Sequence, residues 1–348
     1  MEYISRLGIE ELEAVMAELS EKKYAARQIY SWIHQKNAQS FSEMSDVSKG
    51  LREKLSKAYS LTEMRIIKKL KSQDGTVKYL FALKDGHTIE AVLMHYSHGY
   101  ALCCSTQVGC KMGCTFCAST VGGFVRNLSF DEIAAQVYAA NKDEGVKVGN
   151  IVLMGSGEPL INYDNTVEFI KLMTGGEGQN ISQRNITLST CGIIEGIERL
   201  SYEKIQDKKL QITLAISLHA ATDDKRQMIM PVAKRYKTID LVDACRHYAN
   251  ITKRRVTYEY ALIKGFNDSA DDAKELAKLL KGSLCHVNLI PVNPVLEAGL
   301  KRPSQMIMNK FSDTLKSSGI EATFRRELGS DINAACGQLR NSEVQNGF

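Results

Sequence analysis

The sequence predicts an α/β fold: a partial, six-unit (β/α)6 barrel preceded by a small N-terminal helical domain and an antiparallel strand extension. Three patterns predict it. Before residue 60 the apolar residues recur at helical spacing. Between about residues 61 and 99, Asp-Gly turns punctuate strand-like runs. From about residue 100 onward, short apolar strands alternate with longer amphipathic stretches, as repeated βα units require.

In chain order, Ile9, Leu12 and Met16 fall on one helix face, as do Ala25, Ile29, Trp32 and Ile33, so residues 1–60 read as a helical accessory domain. Met64 to Leu70 and Thr76 to Leu83 flank Asp74-Gly75, and Thr88 to Met94 follows Lys84-Asp85-Gly86. Residues 61–99 therefore read as an antiparallel extension leading into the next domain. The barrel occupies 100–348. Its strands are expected at Tyr100 to Thr106, Ile151 to Met154, Ile186 to Ser189, Ile212 to Ile216, Val256 to Leu262 and Val287 to Ile290. In such barrels chemistry gathers at the C-terminal strand ends, so the residues following each strand are the informative ones. No internal repeat or low-complexity linker divides the chain.

With 348 residues and 44% apolar content the chain can bury a large catalytic core plus a small accessory one. The start, Met1-Glu2-Tyr3-Ile4, lacks the basic-then-apolar pattern of a secretory signal, and no stretch approaches the apolar length of a membrane span. A cytoplasmic protein without a membrane partner is expected, and a monomer. Nine cysteines in a reducing compartment read first as metal ligands or reactive thiols rather than disulfides. The net charge of +5 suits an RNA partner without demanding one.

The cysteines cluster after the first barrel strand, in Cys110-Lys-Met-Gly-Cys114-Thr-Phe-Cys117. Thiolates are soft ligands suited to iron and sulfide, and three on a short glycine-containing loop can converge on three irons of a 4Fe-4S cluster. The fourth iron then stays open to chelate a small molecule. Structural zinc is the alternative. It wants four ligands, and no neighbouring Cys-x-x-Cys or His pair completes the set, although Cys103 or Cys104 is near enough in sequence to serve.

This CxxxCxxC, with an aromatic before its last cysteine, resembles the radical S-adenosylmethionine (SAM) superfamily, whose fold is the partial (β/α)6 barrel already expected. The resemblance implies a 4Fe-4S cluster on Cys110, Cys114 and Cys117, SAM as the second cofactor, and Phe116 beside its adenine; taken alone, Phe116 reads as a core residue. Gly155-Ser-Gly157-Glu158-Pro159 follows the second strand and is similar to the segment that holds the SAM amino group. A glycine turn lets backbone approach a ligand, and a carboxylate accepts from an ammonium. Ser189 and the run Ser217-Leu218-His219 occupy equivalent places after the third and fourth strands, and Asn293 after the last one matches a SAM-contacting asparagine.

A narrower resemblance, to the RlmN/Cfr family, spans nearly the whole chain. It rests on Gln107-Val-Gly-Cys110, Gly123-Phe-Val-Arg126-Asn127-Leu128, Gly157-Glu-Pro-Leu160, Ser217-Leu-His219, Asn288-Leu-Ile-Pro-Val-Asn293 and Gly329-Ser-Asp-Ile-Asn-Ala-Ala-Cys336-Gly-Gln-Leu339. Ser156 departs from it, standing where the family often has Met or Ile.

The family methylates an adenine carbon in RNA. C2 of adenine lies between two ring nitrogens and is electron-poor, so direct attack by that carbon on the SAM methyl is closed. The resemblance implies that Cys336 first takes a methyl from one SAM, that a radical from a second SAM removes a hydrogen from it, and that the methylene radical adds to C2. A carboxylate base and a second thiol then release the product, and these map to Glu90 and Cys103. Glu90, read alone in Thr-Ile-Glu-Ala-Val, is a solvent-facing strand residue. Cys103 would form a transient disulfide with Cys336 that cellular reductants reopen. Cys104 competes for that role, because neighbours in a strand face opposite ways; the resemblance implies Cys103, whose position seven residues before Cys110 matches the family. Cys191, Cys245 and Cys285 read as buried small residues.

The implied partners are 23S rRNA, before full ribosome assembly, tRNA at the adenosine beside the anticodon, and an electron donor such as flavodoxin. Lys234-Arg235, Lys253-Arg254-Arg255, Lys301-Arg302 and Arg325-Arg326 are candidate phosphate contacts or solvated charges. The target adenine must be unstacked to react. A Cfr-like C8 methylation is the alternative, and Pro159, where Cfr-like proteins tend to have alanine, favours C2. A zinc-stabilised RNA-binding protein and a radical SAM enzyme acting on a protein or small molecule are the other readings; the first leaves Cys103 and Cys336 without a purpose.

Overall fold

The computed structural model describes residues 2–205, 207–292, 299–335 and 337–339. Cys336 and Asn293 lie outside them.

The N-terminal helices are α1 (Ile9–Glu18), α2 (Tyr24–His34) and α3 (Lys49–Ala58). Leu12, Met16, Ile29, Ile33, Leu51 and Leu55 close into a core of their own. The expected faces are the buried ones; α3 was less legible because its apolar stripe is only Leu51 and Leu55, and its start depends on Ser48 accepting from Leu51 N at 3.2 Å. Glu2–Tyr3 pairs in parallel with Tyr59–Ser60, so the unit's two ends meet.

A single ten-stranded sheet carries the rest. Its strands are β1 (Arg65–Lys71), β2 (Val77–Ala82), β3 (Thr88–Tyr96), β4 (Gly99–Cys103), β5 (Val148–Leu153), β6 (Ile186–Thr190), β7 (Thr213–Ser217), β8 (Val256–Leu262), β9 (Cys285–Pro291) and β10 (Ala322–Phe324), adjacent in chain order. β1 to β4 are antiparallel and β4 to β10 parallel. All six expected barrel strands are present. The antiparallel extension is not a separate sheet, since β3 pairs directly with β4, placing Val92 opposite Cys103. Helices α4 (Phe130–Glu144), α5 (Tyr163–Thr174), α6 (Ile194–Ser201), α7 (Asp223–Ile229), α8 (Thr238–Thr252), α9 (Ala270–Leu280) and α10 (Gln305–Ser317) connect the parallel strands. This is the α/β architecture of a partial barrel. No helix of the described residues is long and apolar enough to cross a membrane.

Polar contacts join the helical unit to α4 and to the loop after α5. Arg6 Nε donates to Asp131 at 3.0 Å, and Gln179 Nε2 donates to the His34 carbonyl at 2.7 Å. His34 is buried, with Nδ1 2.9 Å from the Tyr138 hydroxyl, and burial pushes its pKa down to about 3. Between pH 3 and 6.5 the unfolded chain therefore binds a proton at His34 that the folded chain refuses. Stability is expected to fall as pH drops through that window, by up to about 1.4 kcal/mol per unit from this site. Denaturant titrations at pH 7 and pH 5 check this: His34→Gln should show a smaller loss than wild type.

Candidate active site

The cluster loop leaves β4 through Gln107–Gly109, which pairs with Phe124–Asn127. Both segments are too short to register as strands in sequence, and their motif residues interlock. Gln107 Nε2 donates to Asn127 Oδ1 at 2.7 Å, and Gln107 Oε1 accepts from Glu158 N at 2.9 Å. Arg126 grips Glu132 with two nitrogens at 2.7 and 2.8 Å, and Glu132 in turn caps α4 through Ser129 N.

Above the parallel strands a cavity of about 960 Å³, part of it open to solvent, is lined by Cys110, Cys114, Cys117, Phe116, Gly157, Glu158, Ser189, Ser217 and His219. The three loop thiols thus share one cavity with most of the expected SAM contacts. Leu218 does not join them: its side chain is wholly buried in the main core, and only its backbone faces the strand end.

Gly157 sits at φ +109°, and a Cβ there would lie 2.6 Å from Gln107 Cβ. Gly157→Ala is expected to cost about 1–3 kcal/mol in backbone strain, read as a lowered denaturation midpoint together with weakened SAM binding. Glu158 is buried. One carboxylate oxygen accepts from Leu160 N at 3.0 Å and the other from Cys191 N at 2.7 Å, while burial raises its pKa. His219 Nδ1 accepts from Ala261 N at 2.9 Å, which puts the proton of the neutral ring on Nε2. Burial pushes its pKa down to about 3, and Phe116 packs edge-on to the ring at 4.6 Å.

Two observations test the fit of an iron–sulfur cluster. Burial, then the neighbouring Cys117 and Glu158, push the Cys110 thiol up to about 11, a penalty that iron ligation removes. Arg226 is wholly buried, with Nε on Leu218 O at 3.1 Å and Nη2 on Cys191 O at 2.7 Å, yet its Nη1 has no partner among the described residues. Its helix touches the loop, Thr115 N donating to Ile229 O at 3.0 Å. A buried cation with an unsatisfied N–H near Cys114, one of the loop thiols, suits an anionic, thiolate-held cluster. The donor chemistry fits the group, although among the described residues no three Cys, His, Asp or Glu side chains stand close enough together to hold a metal ion.

Sequence reasoning missed Thr190, Met154, Glu259 and Arg325 in this wall. Glu259 accepts from Asn288 Nδ2 at 2.9 Å and pairs with Arg325 at 3.5 Å. An acid inside Val-Thr-Tyr-Glu259-Tyr-Ala-Leu was the available signal. Arg325, expected among the phosphate contacts or solvated charges, instead lines the cavity. Among the other basic candidates, Arg235 pairs with Glu195, Arg255 with Glu321 and Arg302 with Glu327. Cys191 lines the cavity, and Cys285 is only half-buried.

A second cavity adjoins the first, sharing Met154, Ile290 and Arg325, and is lined by Cys103, Val92, Ala334, Ala335 and Leu339. Cys103 and Cys104 part company here: Cys103 faces this cavity, whereas Cys104 is wholly buried in the main core. Glu90 is not the exposed strand residue its local sequence suggests. It is buried beside Lys78, whose Nζ lies 2.9 Å from Oε1.

A cysteine-bearing loop over a cavity at the C-terminal ends of parallel strands is the arrangement of a radical SAM protein, and residues 104–280 match that superfamily. Residues 4–61 match the ribosomal RNA large subunit methyltransferase N-terminal domain. Among similar proteins, the probable dual-specificity RNA methyltransferases RlmN of Alkaliphilus oremlandii and Clostridium novyi are 52% and 50% identical, covering 98% and 99% of this chain and 98% and 100% of their own. The crystal structure of a radical SAM methyltransferase from Sphaerobacter thermophilus superposes with a TM-score of 0.93 at 43% identity, over 98% of this chain and all of that one. The chain belongs to the RlmN family of the radical SAM superfamily.

Proposed function

We propose that this chain is a dual-specificity RNA methyltransferase that methylates C2 of adenosine in 23S rRNA and in a subset of tRNAs. The relatives named as such support the RNA substrate. The observation that carries the finer mechanism is the shared cavity wall, which brings Cys103 next to the space lined by the cluster thiols. Cys110, Cys114 and Cys117 hold the cluster, and Gly157, Glu158, Ser189, Ser217, His219 and Asn293 contact SAM. When bound, cluster and SAM supply the methyl group, a hydrogen-abstracting radical and a place for the electron left over.

The chain's own residues do the rest. Cys336 carries the methyl and becomes linked to C2 through its carbon. Glu90 takes the C2 proton; the sulfur–carbon bond breaks; Cys103, giving up its proton, pairs with the Cys336 sulfur. One electron leaves, and the freed methylene takes a proton from solvent. Reduction of the Cys103–Cys336 disulfide resets the site.

Anaerobic turnover with reductant, SAM and RNA lacking the modification tests the assignment by nucleoside mass spectrometry. Production of 2-methyladenosine from both rRNA and tRNA is expected. Only 8-methyladenosine would move the chain to Cfr-like chemistry, and no methylated adenosine from iron-loaded, SAM-cleaving protein would refute an RNA substrate.

A further inference from the structure

Lys78 touches two parts of the proposed machinery at once. Its Nζ lies 2.9 Å from Glu90 Oε1 and donates to the Asn333 carbonyl at 3.1 Å. Lysine is seldom buried without a partner, yet only 10% of this side chain is exposed, and 4% of Glu90's. Strand register explains the meeting. Lys78 of β2 pairs with Val92 of β3, two residues along from Glu90, and Val92 pairs with Cys103 of β4. Residues opposite one another share a sheet face, so Lys78, Glu90 and Cys103 project from the same side.

The segment around Asn333 is fastened from two directions. On the β1–β2 turn, Gly329 N donates to Asp74 at 2.9 Å and Ser72 Oγ donates to Asp331 at 2.6 Å. At the cluster loop, Ala118 N donates to Gly337 O at 2.8 Å and Ser119 Oγ donates to Leu339 O at 2.7 Å. Asn333 itself has a left-handed backbone, φ +51°. Lys78 thus bonds both this segment and Glu90.

We propose that Lys78 is a positioning residue, which keeps Glu90 ionised and sets its place relative to the segment that carries Cys336. The inference rests on reading Glu90 as the base that takes the C2 proton. An ammonium within hydrogen-bond distance favours the carboxylate form, and burial without that ammonium favours the neutral one. The other charged or titratable groups brought to this side are Lys68 of β1, which faces Leu80 and through it Glu90 across the sheet, Cys103 from β4, Arg325, which follows β10 and is paired with Glu259, Arg326 and Glu327, which line the cavity with Cys103, and Asp331, engaged by Ser72 and Gln73. Lys78 Nζ is the cation at Glu90 Oε1.

The test compares wild type, Lys78→Gln, Lys78→Arg and Glu90→Gln in anaerobic single turnover. Iron content and Cys336 methylation are read first, then decay of the covalent protein–RNA adduct as a function of pH. Lys78→Gln is expected to load iron and methylate Cys336 at the wild-type level. Its adduct should decay about 10- to 1,000-fold more slowly at neutral pH, with the acidic limb of the pH profile moved up by about 1–3 units. Lys78→Arg should restore most of the rate. Unchanged decay and pH profile in Lys78→Gln overturn the proposal; so does a loss of iron or of Cys336 methylation in Lys78→Gln, which marks a merely structural lysine. Glu90→Gln separates the two readings: wild-type decay there removes Glu90 as the base, whereas stalled decay there with normal Lys78→Gln removes Lys78 alone.

Discussion

Cys114→Ser is expected to abolish iron loading and all SAM cleavage, a loss of well over about a hundredfold, since even outer partners of metal ligands are worth 10- to 100-fold. The site explains the severity. Cys114 is buried among Cys191, Ile229, Met230, Ile263 and Val292, where burial and the flanking Cys117 and Cys110 raise its thiol pKa. Such a thiol is costly to ionise unless a metal takes its charge, and a serine hydroxyl is a harder, poorer ligand for iron. The loss should register as missing iron, sulfide and visible absorbance in reconstituted protein. Cys245→Ser, at a fully buried position in α8 away from the loop, should load iron normally. Zinc in place of iron in the wild-type protein would contradict the cluster assignment.

The second large effect separates two adjacent cysteines. Cys103→Ala is expected to methylate Cys336 and attack RNA, then stall with RNA covalently attached, so turnover stops at one equivalent. Cys104→Ala should continue to turn over. Cys103 lines the cavity shared with Ala334, Ala335 and Leu339, whereas Cys104 sits in the main core, where burial and Cys103 raise its pKa well above the ordinary range. Removing the Cys104 sulfur leaves a small void, with a cost of about 1 kcal/mol in stability and no chemical consequence. Denaturing gels of RNA-treated protein, with and without nuclease, distinguish the two. A stalled adduct in Cys104→Ala instead would reverse the assignment.

Legibility in the sequence followed locality. The cluster loop could be read because its three ligands lie within eight residues, and the barrel strands because each is a continuous apolar run. The choice between Cys103 and Cys104 could be framed from strand alternation but not settled by it, since which face looks inward depends on the pairing with β3. Read from its local sequence alone, Glu90 looks solvent-facing for the same reason. The cation that makes its burial tolerable, Lys78, is twelve residues away across a hairpin, and register alone brings them together. Arg226 stands in the charged run Asp-Asp-Lys-Arg, where nothing local signals that it is wholly buried beside the cluster loop. Ala322–Phe324 extends the barrel by a strand too short to declare itself.

The central claim is that the transferred carbon passes through Cys336. Protein premethylated with SAM bearing a CD3 group, then given unlabelled SAM, reductant and RNA, tests it in one turnover. The account predicts 2-methyladenosine carrying CD2H, one deuterium having been abstracted and replaced by a solvent proton. An unlabelled methyl in that first product would show that the carbon comes directly from the second SAM and would contradict the account.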